Sequence, residues 1–137
     1  MRRHGIKEKR LNVAPLIAVV DDDLSVRKSL NRLLKSASLD VNIFASAEDF
    51  LNADEPRKAD CLVLDVRLPG MSGIELHRHL LANNFNVPVI FITAHGSDED
   101  ARRLAASDWT FGYLIKPFNA DELLDAIDVA LKRQAGA

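Results

Sequence analysis

The chain has a single cysteine, Cys61, among 137 residues. An intramolecular disulfide is thereby excluded, and a cysteine at the head of an apolar run suits a small buried hydrophobe in a reducing compartment. No apolar stretch approaches the ~20 residues of a membrane span. The basic start is followed by mixed polar sequence where a signal peptide needs an apolar core, so the reading is a cytoplasmic protein without membrane contact. Excess charge of one sign is also missing: 18 Lys and Arg face 20 Asp and Glu, a net charge of -2, which leaves no electrostatic case for nucleic-acid binding by the body of the domain. Arg2, Arg3, Lys7, Lys9 and Arg10 form a basic arm over residues 1–14, read as a disordered, solvated tail. Internal repeats and low-complexity tracts are absent, and no glycine-rich or Ser/Thr-rich phosphate loop follows the first apolar run.

What remains is one domain over residues 15–135, long enough to bury a sizeable core. Residues 16–20 are a β-branched apolar run, as in a strand buried on both faces. Val26, Leu30, Leu33, Leu34 and Ala37 then recur at helical spacing, with Ser25 as the expected N-cap. Strands are expected at 41–45, 61–65, 87–93 and 113–116. Helices are expected to open at Ser46-Ala47-Glu48-Asp49, at the capping box Ser72-Gly73-Ile74-Glu75, at Ser97-Asp98-Glu99-Asp100 and at Asn119-Ala120-Asp121-Glu122. Leu68-Pro69-Gly70 marks a turn. Five strands alternating with five helices predict a (βα)5, flavodoxin-like domain with a parallel sheet in the order 2-1-3-4-5.

Four of the strands end on residues suited to phosphoryl chemistry: Asp21 and Asp22, Asp65, Thr93 and Lys116. Ligands of open parallel sheets bind outside the carboxyl ends of the strands, so these residues are expected to converge. Three carboxylates that close raise each other's pKa or demand a cation, and Mg2+ is the natural one. Asp23 is better explained as a helix cap. With a metal screening its charge, Asp65 can act as a nucleophile toward phosphorus, while Thr93 offers a hydroxyl and Lys116 an ammonium for the phosphoryl oxygens.

Val20-Asp21-Asp22-Asp23, Asp65-Val66-Arg67-Leu68-Pro69-Gly70-Met71-Ser72-Gly73, Ile92-Thr93-Ala94 and Tyr113-Leu114-Ile115-Lys116-Pro117-Phe118 resemble the receiver domain of two-component response regulators. The wording, Ser46-Ala47-Glu48-Asp49-Phe50-Leu51 included, is most similar to receivers of the nitrogen-fixation regulator type. The resemblance spans nearly the whole chain, and the separations of Asp22, Asp65, Thr93 and Lys116 fall in that family's range. It implies that Asp65 is the phosphoacceptor, Asp22 a direct Mg2+ ligand, Asp21 the acid that orients metal-bound water, and the Arg67 carbonyl a further ligand. Thr93 is implied as the switch hydroxyl, Lys116 as its partner on the phosphoryl group, Ala94 as the small residue leaving access, and Tyr113 as the aromatic rotamer switch. The Lys116–Pro117 bond is implied to be cis.

The sequence departs from the family where Ala-Gly-Ala is usual and Asp108-Trp109-Thr110 stands instead. Trp would not take the left-handed conformation that Gly accepts there, so the end of the fourth helix is expected to be remodelled. Trp109 itself reads as core packing or as an exposed anchor on the face of the fourth helix, fifth strand and fifth helix, through which receivers bind partners or form homodimers. His77, His79 and His95 are not assigned as ligands. The function expected is a single-domain response regulator, a phosphoacceptor switch rather than an enzyme. Its expected partners are a sensor histidine kinase or histidine phosphotransfer protein, and a downstream protein. The alternatives are the excised N-terminal receiver of a transcription factor, or a phosphate sink or relay intermediate. No helix-turn-helix effector is read within the chain. A haloacid-dehalogenase-type phosphatase would need an acid two residues after Asp65, where Arg67 stands.

Overall fold

The computed structural model describes residues 13–54, 58–95, 97, 99, 103–104 and 107–136. Apart from Val13 and Ala14, the basic arm lies outside them, as does much of the segment expected to form the fourth helix. In chain order the elements are β1 (Leu16–Val20), α1 (Leu24–Ser36), β2 (Asp40–Phe44), α2 (Ala47–Asn52), β3 (Cys61–Asp65), α3 (Gly73–Ala82), β4 (Val89–Thr93), β5 (Thr110–Ile115) and α4 (Ala120–Gly136). Between β4 and β5, Glu99, Arg103 and Leu104 also have helical backbone.

All strand pairs are parallel, in the order β2-β1-β3-β4-β5. Every residue of β1, β3 and β4 is buried, the pattern of central strands covered on both faces. Side chains alternate across the sheet. Ala18, Val20, Leu62, Leu64 and Phe91 face a layer containing Ala47, Leu76, Leu80 and Leu104, whereas Ile17, Val19, Val63, Ile90 and Ile92 face Leu30, Leu34, Leu123 and Ile127.

Several helix ends follow the sequence. The Ser72–Glu75 capping box is complete, and Asn119 and Glu122 form the same reciprocal pair before α4. Several expectations need correction: β2 is Asp40–Phe44 rather than 41–45, and β4 starts at Val89 rather than at 87. The cap read at Asp23 is present and the one read at Ser25 is not: the Asp23 carboxylate accepts from the amides of Ser25 and Val26 at 2.8 and 3.3 Å, so Ser25 lies inside the first turn of α1. Strand β5 begins at Thr110, three residues before the expected start. Gly112 interrupts the apolar pattern there, and its role is steric: an added Cβ would sit 3.1 Å from Ile90 Cγ2 and 3.3 Å from Ala126 Cβ, within the packing of β4 and α4 on β5.

The segment leading into β5 turns without a left-handed residue at Asp108, Trp109 or Thr110. Ser107 organises it instead. Its amide donates to the Leu104 carbonyl at 3.1 Å, its carbonyl accepts from Thr110 N at 3.2 Å and its hydroxyl accepts from Trp109 N at 3.3 Å. The same hydroxyl lies 3.0 Å from His77 Nε2, a buried imidazole set edge-on to Phe91. Burial holds the His77 pKa below its usual value, so the neutral ring is the form that braces this turn.

Candidate functional site: a carboxylate cluster at the strand ends

Parallel strands deliver their last residues to one edge, and the register fixes which residues meet. Asp65 ends β3 opposite Ile92, so Thr93 lies one step beyond it on β4 and pairs in turn with Ile115, the residue before Lys116. Backbone bonds tie these ends together: Val66 N donates to Ile92 O at 2.9 Å and Lys116 N to Thr93 O at 2.8 Å. On the other side Asp21 N donates to the Phe44 carbonyl at 3.1 Å.

At this edge one carboxylate oxygen from each of Asp21, Asp22 and Asp65 lies within 4.8 Å of the others. Asp21 is fully buried, Asp65 nearly so, and Asp22 is exposed. The Lys116 ammonium spans the two buried acids, at 2.8 Å from Asp21 Oδ2 and 3.1 Å from Asp65 Oδ2. The remaining oxygens are also held, Asp21 Oδ1 by Asp23 N and Asp65 Oδ1 by Arg67 N, at 2.8 and 2.9 Å. Arg27 adds a guanidinium bond of 2.8 Å to the Asp21 carbonyl. Burial of Asp65 raises its pKa, and the neighbouring Asp21 charge adds to this against the Arg67 amide and Lys116. Burial of Lys116 works against its charge, but Asp21 and Asp65 outweigh it and the pKa of the ammonium is raised. The cluster is therefore a set of hard oxygen donors with one resident cation. It contains no nitrogen or sulfur ligand, and it fits Mg2+ rather than a softer metal.

Thr93 is fully buried, with its hydroxyl accepting from His95 N at 3.2 Å; Ala94 beside it is exposed. The Lys116–Pro117 peptide is cis. Tyr113 lies opposite Phe91, half-buried against the α2/α3 layer, and its buried hydroxyl has no hydrogen-bond partner among the described residues. Trp109 is set apart from these residues. It lies at the amino end of β5, about 20 Å of strand from Lys116, and is half-buried without joining either core cluster.

Two contributors lay outside the sequence reading. Gly73, read as part of a capping box and of a matching motif but given no role, lets the start of α3 touch the end of β3: a Cβ there would lie 2.1 Å from the Asp65 carbonyl oxygen. Glu48, read as part of a helix start, sends its carboxylate across to Met71 N at 2.8 Å, a bond that lowers its pKa. It thereby braces the turn at Gly70, which has φ of 74°. The close apposition of Gly70 and Gly73 was the available signal for a tight loop, but nothing in the residues pointed to Glu48 as its support.

The sequence model of the response regulator receiver domain matches residues 17–128. The chain belongs to that family. This receiver is 43% identical over 118 residues to nodulation protein W of Bradyrhizobium diazoefficiens, covering 86% of this chain and 52% of that protein. It is 45% identical over 118 residues to the transcriptional regulatory protein TdiR of Thauera aromatica, again covering 86% and 52%. Among solved structures the response regulator StyR has a TM-score of 0.78 at 42% identity, with 90% of this chain and 62% of that one covered. The chain thus spans about half the length of the curated relatives it matches.

Proposed function

We propose that this receiver is a phosphorylation-controlled switch whose acceptor is Asp65. The observation that carries the reading is the meeting of Asp21, Asp22 and Asp65 at one strand edge, with Lys116 laid across two of them. An oxygen of Asp65 bonds to phosphorus as the P–N bond of a kinase or phosphotransfer phosphohistidine breaks, and the electron pair returns to the imidazole. The Arg67 amide fixes the carboxylate, and Lys116, on a flexible stem, shifts from Asp65 to the incoming phosphoryl oxygens. Asp21, Asp22, Asp65 and the Arg67 carbonyl would hold Mg2+, which supplies charge neutralisation between carboxylate and phosphoryl oxygens. The acidic cluster gives this role a direct test. Mg2+ at a few times its dissociation constant raises stability by roughly 1 kcal/mol, because it binds only the folded state. Asp22→Ala removes that gain in thermal denaturation; a gain retained in the variant places the metal elsewhere.

Output follows from what surrounds Thr93. Phosphorylation draws its hydroxyl from the His95 amide toward the new oxygens, and the inward Tyr113 ring shifts with it. Tyr113 and Leu104 pack in the same layer, and Leu104 is bonded to Ser107, whose hydroxyl holds Trp109. A beryllofluoride mimic therefore changes Trp109 fluorescence, and Thr93→Ala suppresses the change while Asp65 still accepts phosphate. A Trp109 signal unmoved by the mimic would send output through another face.

The receiver works in the cytoplasm as a single-domain regulator that presents a phosphorylation-dependent surface to a partner protein or a second copy. A second reading is favoured by the 52% coverage of its relatives: the N-terminal receiver of a longer transcription regulator. The open reading frame downstream of Ala137 distinguishes the two.

A further inference from the structure

A cavity of about 280 Å³ lies on the α2/α3 side of the sheet, away from the carboxylate edge. Its origin is the brevity of α2, whose six residues cover only part of the face that β1 and β2 present. Ala18, a small side chain in the middle of β1, widens the gap beside its register partner Asn42. The walls are apolar and partly aromatic, built from Phe44, Phe50, Leu51, Leu80 and Phe85, with Phe44 and Phe50 edge to face at 5.3 Å.

Two polar groups interrupt this lining. Asn42 is half-buried on the sheet face that packs against the helices, and it presents a side-chain amide to the floor of the cavity. A ligand that covers this amide must therefore offer it a hydrogen-bonding atom, since a polar group buried without one costs stability. Lys58 stands at the rim with its ammonium 5.4 Å from the centre of the Phe85 ring and no carboxylate partner among the described residues. An apolar body, one hydrogen-bonding group within and one cation at the mouth are the parts of a small-molecule site.

We propose that this cavity binds a small monocarboxylic acid with a flat apolar body. The carboxylate meets Lys58, a polar atom of the ligand pairs with the Asn42 amide, and the body lies against Phe44, Phe50 and Phe85. A dry apolar cavity of roughly 150 Å³ accommodates benzene. About twice that volume corresponds to an acid of roughly twelve heavy atoms, and 3-(4-hydroxyphenyl)propanoate, whose phenol hydroxyl can pair with Asn42, is a suitable probe. The proposal is independent of the phosphorylation reading, because none of these residues belongs to the carboxylate cluster.

The test is an amide chemical-shift titration of the full chain with 3-(4-hydroxyphenyl)propanoate and with the uncharged 3-(4-hydroxyphenyl)propanamide. The acid should saturate, with the largest shifts at residues 42–53, 58–59 and 80–85. Lys58→Gln, at an exposed position where folding is not at stake, should weaken the acid at least tenfold and leave the amide unchanged. Asn42→Leu, which removes the inner polar group at nearly the same size, should weaken both. Non-saturating shifts scattered over the surface, or equal affinity of the acid for parent and Lys58→Gln, would overturn the assignment.

Discussion

Incubated with Mg2+ and a small acyl phosphate, the wild-type chain gains one acid-stable, base-labile phosphoryl group, and Asp65→Asn gains none. The substitution is close to isosteric, so the side-chain oxygen facing Arg67 N can still accept its hydrogen bond. An amide is no nucleophile toward phosphorus, and labelling should fall to background. Loss of folding is not the expected cause. The Asp65 carboxylate is nearly buried, and desolvation is the largest influence on its pKa, so a neutral group removes the cost of keeping that charge out of water. Lys116 loses one of two carboxylate partners but keeps Asp21 at 2.8 Å. Asp65→Asn should therefore melt at the parent temperature or above it while remaining unlabelled. Equal labelling of the variant at another residue would remove Asp65 as acceptor, and a variant that fails to fold would show that the Lys116–Asp65 pair carries stability.

The legible parts of the chain were those where local chemistry and tertiary demand coincide. The runs at 16–20 and 61–65 are strands at their expected bounds because a central parallel strand is apolar on both faces and needs no pattern to be recognised. The strand-end acids are legible for a related reason: a charged residue closing such a run has to lie at the sheet edge, where sheets of this topology bind ligands. Legibility falls where a residue serves a distant neighbour. Gly112 falls outside the strand expected from 113, yet it is inside β5, because the space beside it is taken by Ile90 and Ala126. His77 has no role assigned from the sequence, and its partner, a turn at Ser107 thirty residues on, is invisible in the helix that carries it. Glu48 reads as a first-turn acid, although its partner is Met71 on another loop. The cavity beside α2 reflects the shortness of a helix and one small strand residue, a matter of volume that periodicity does not report.

Gly73 gives the largest effect expected from a change that touches no reacting group. Gly to Ala in a helix ordinarily gains up to ~1 kcal/mol from propensity and reduced unfolded-state entropy. Here the added methyl would lie 2.1 Å from the Asp65 carbonyl oxygen, 2.9 Å from its carbon and 3.1 Å from Val66 Cα. All three atoms are backbone, so no rotamer change relieves the overlap, and α3 must move off the end of β3. That movement strains the 3.0 Å bond from Gly73 N to Val66 O and shifts the peptide that carries Asp65. Overpacking against a rigid wall costs about 1–3 kcal/mol, and the upper end is expected here after the helix gain is offset. Thermal denaturation should show Gly73→Ala melting lower by roughly 8 °C or more. If Asp65 is the acceptor, as proposed, its displacement by about 1 Å lowers the reaction rate ~100-fold, so labelling by acyl phosphate should slow even below the melting temperature. Gly70→Ala is the comparison that isolates the cause. Its backbone is left-handed, with φ of 74°, but the Cβ would meet the end of the Glu48 side chain at 2.6 Å, and that side chain can swing aside. The Gly70 variant should lose about 1–2 kcal/mol from backbone strain and keep most of its labelling rate. If Gly73→Ala matches the parent in both stability and labelling, the contact between α3 and β3 does not position Asp65.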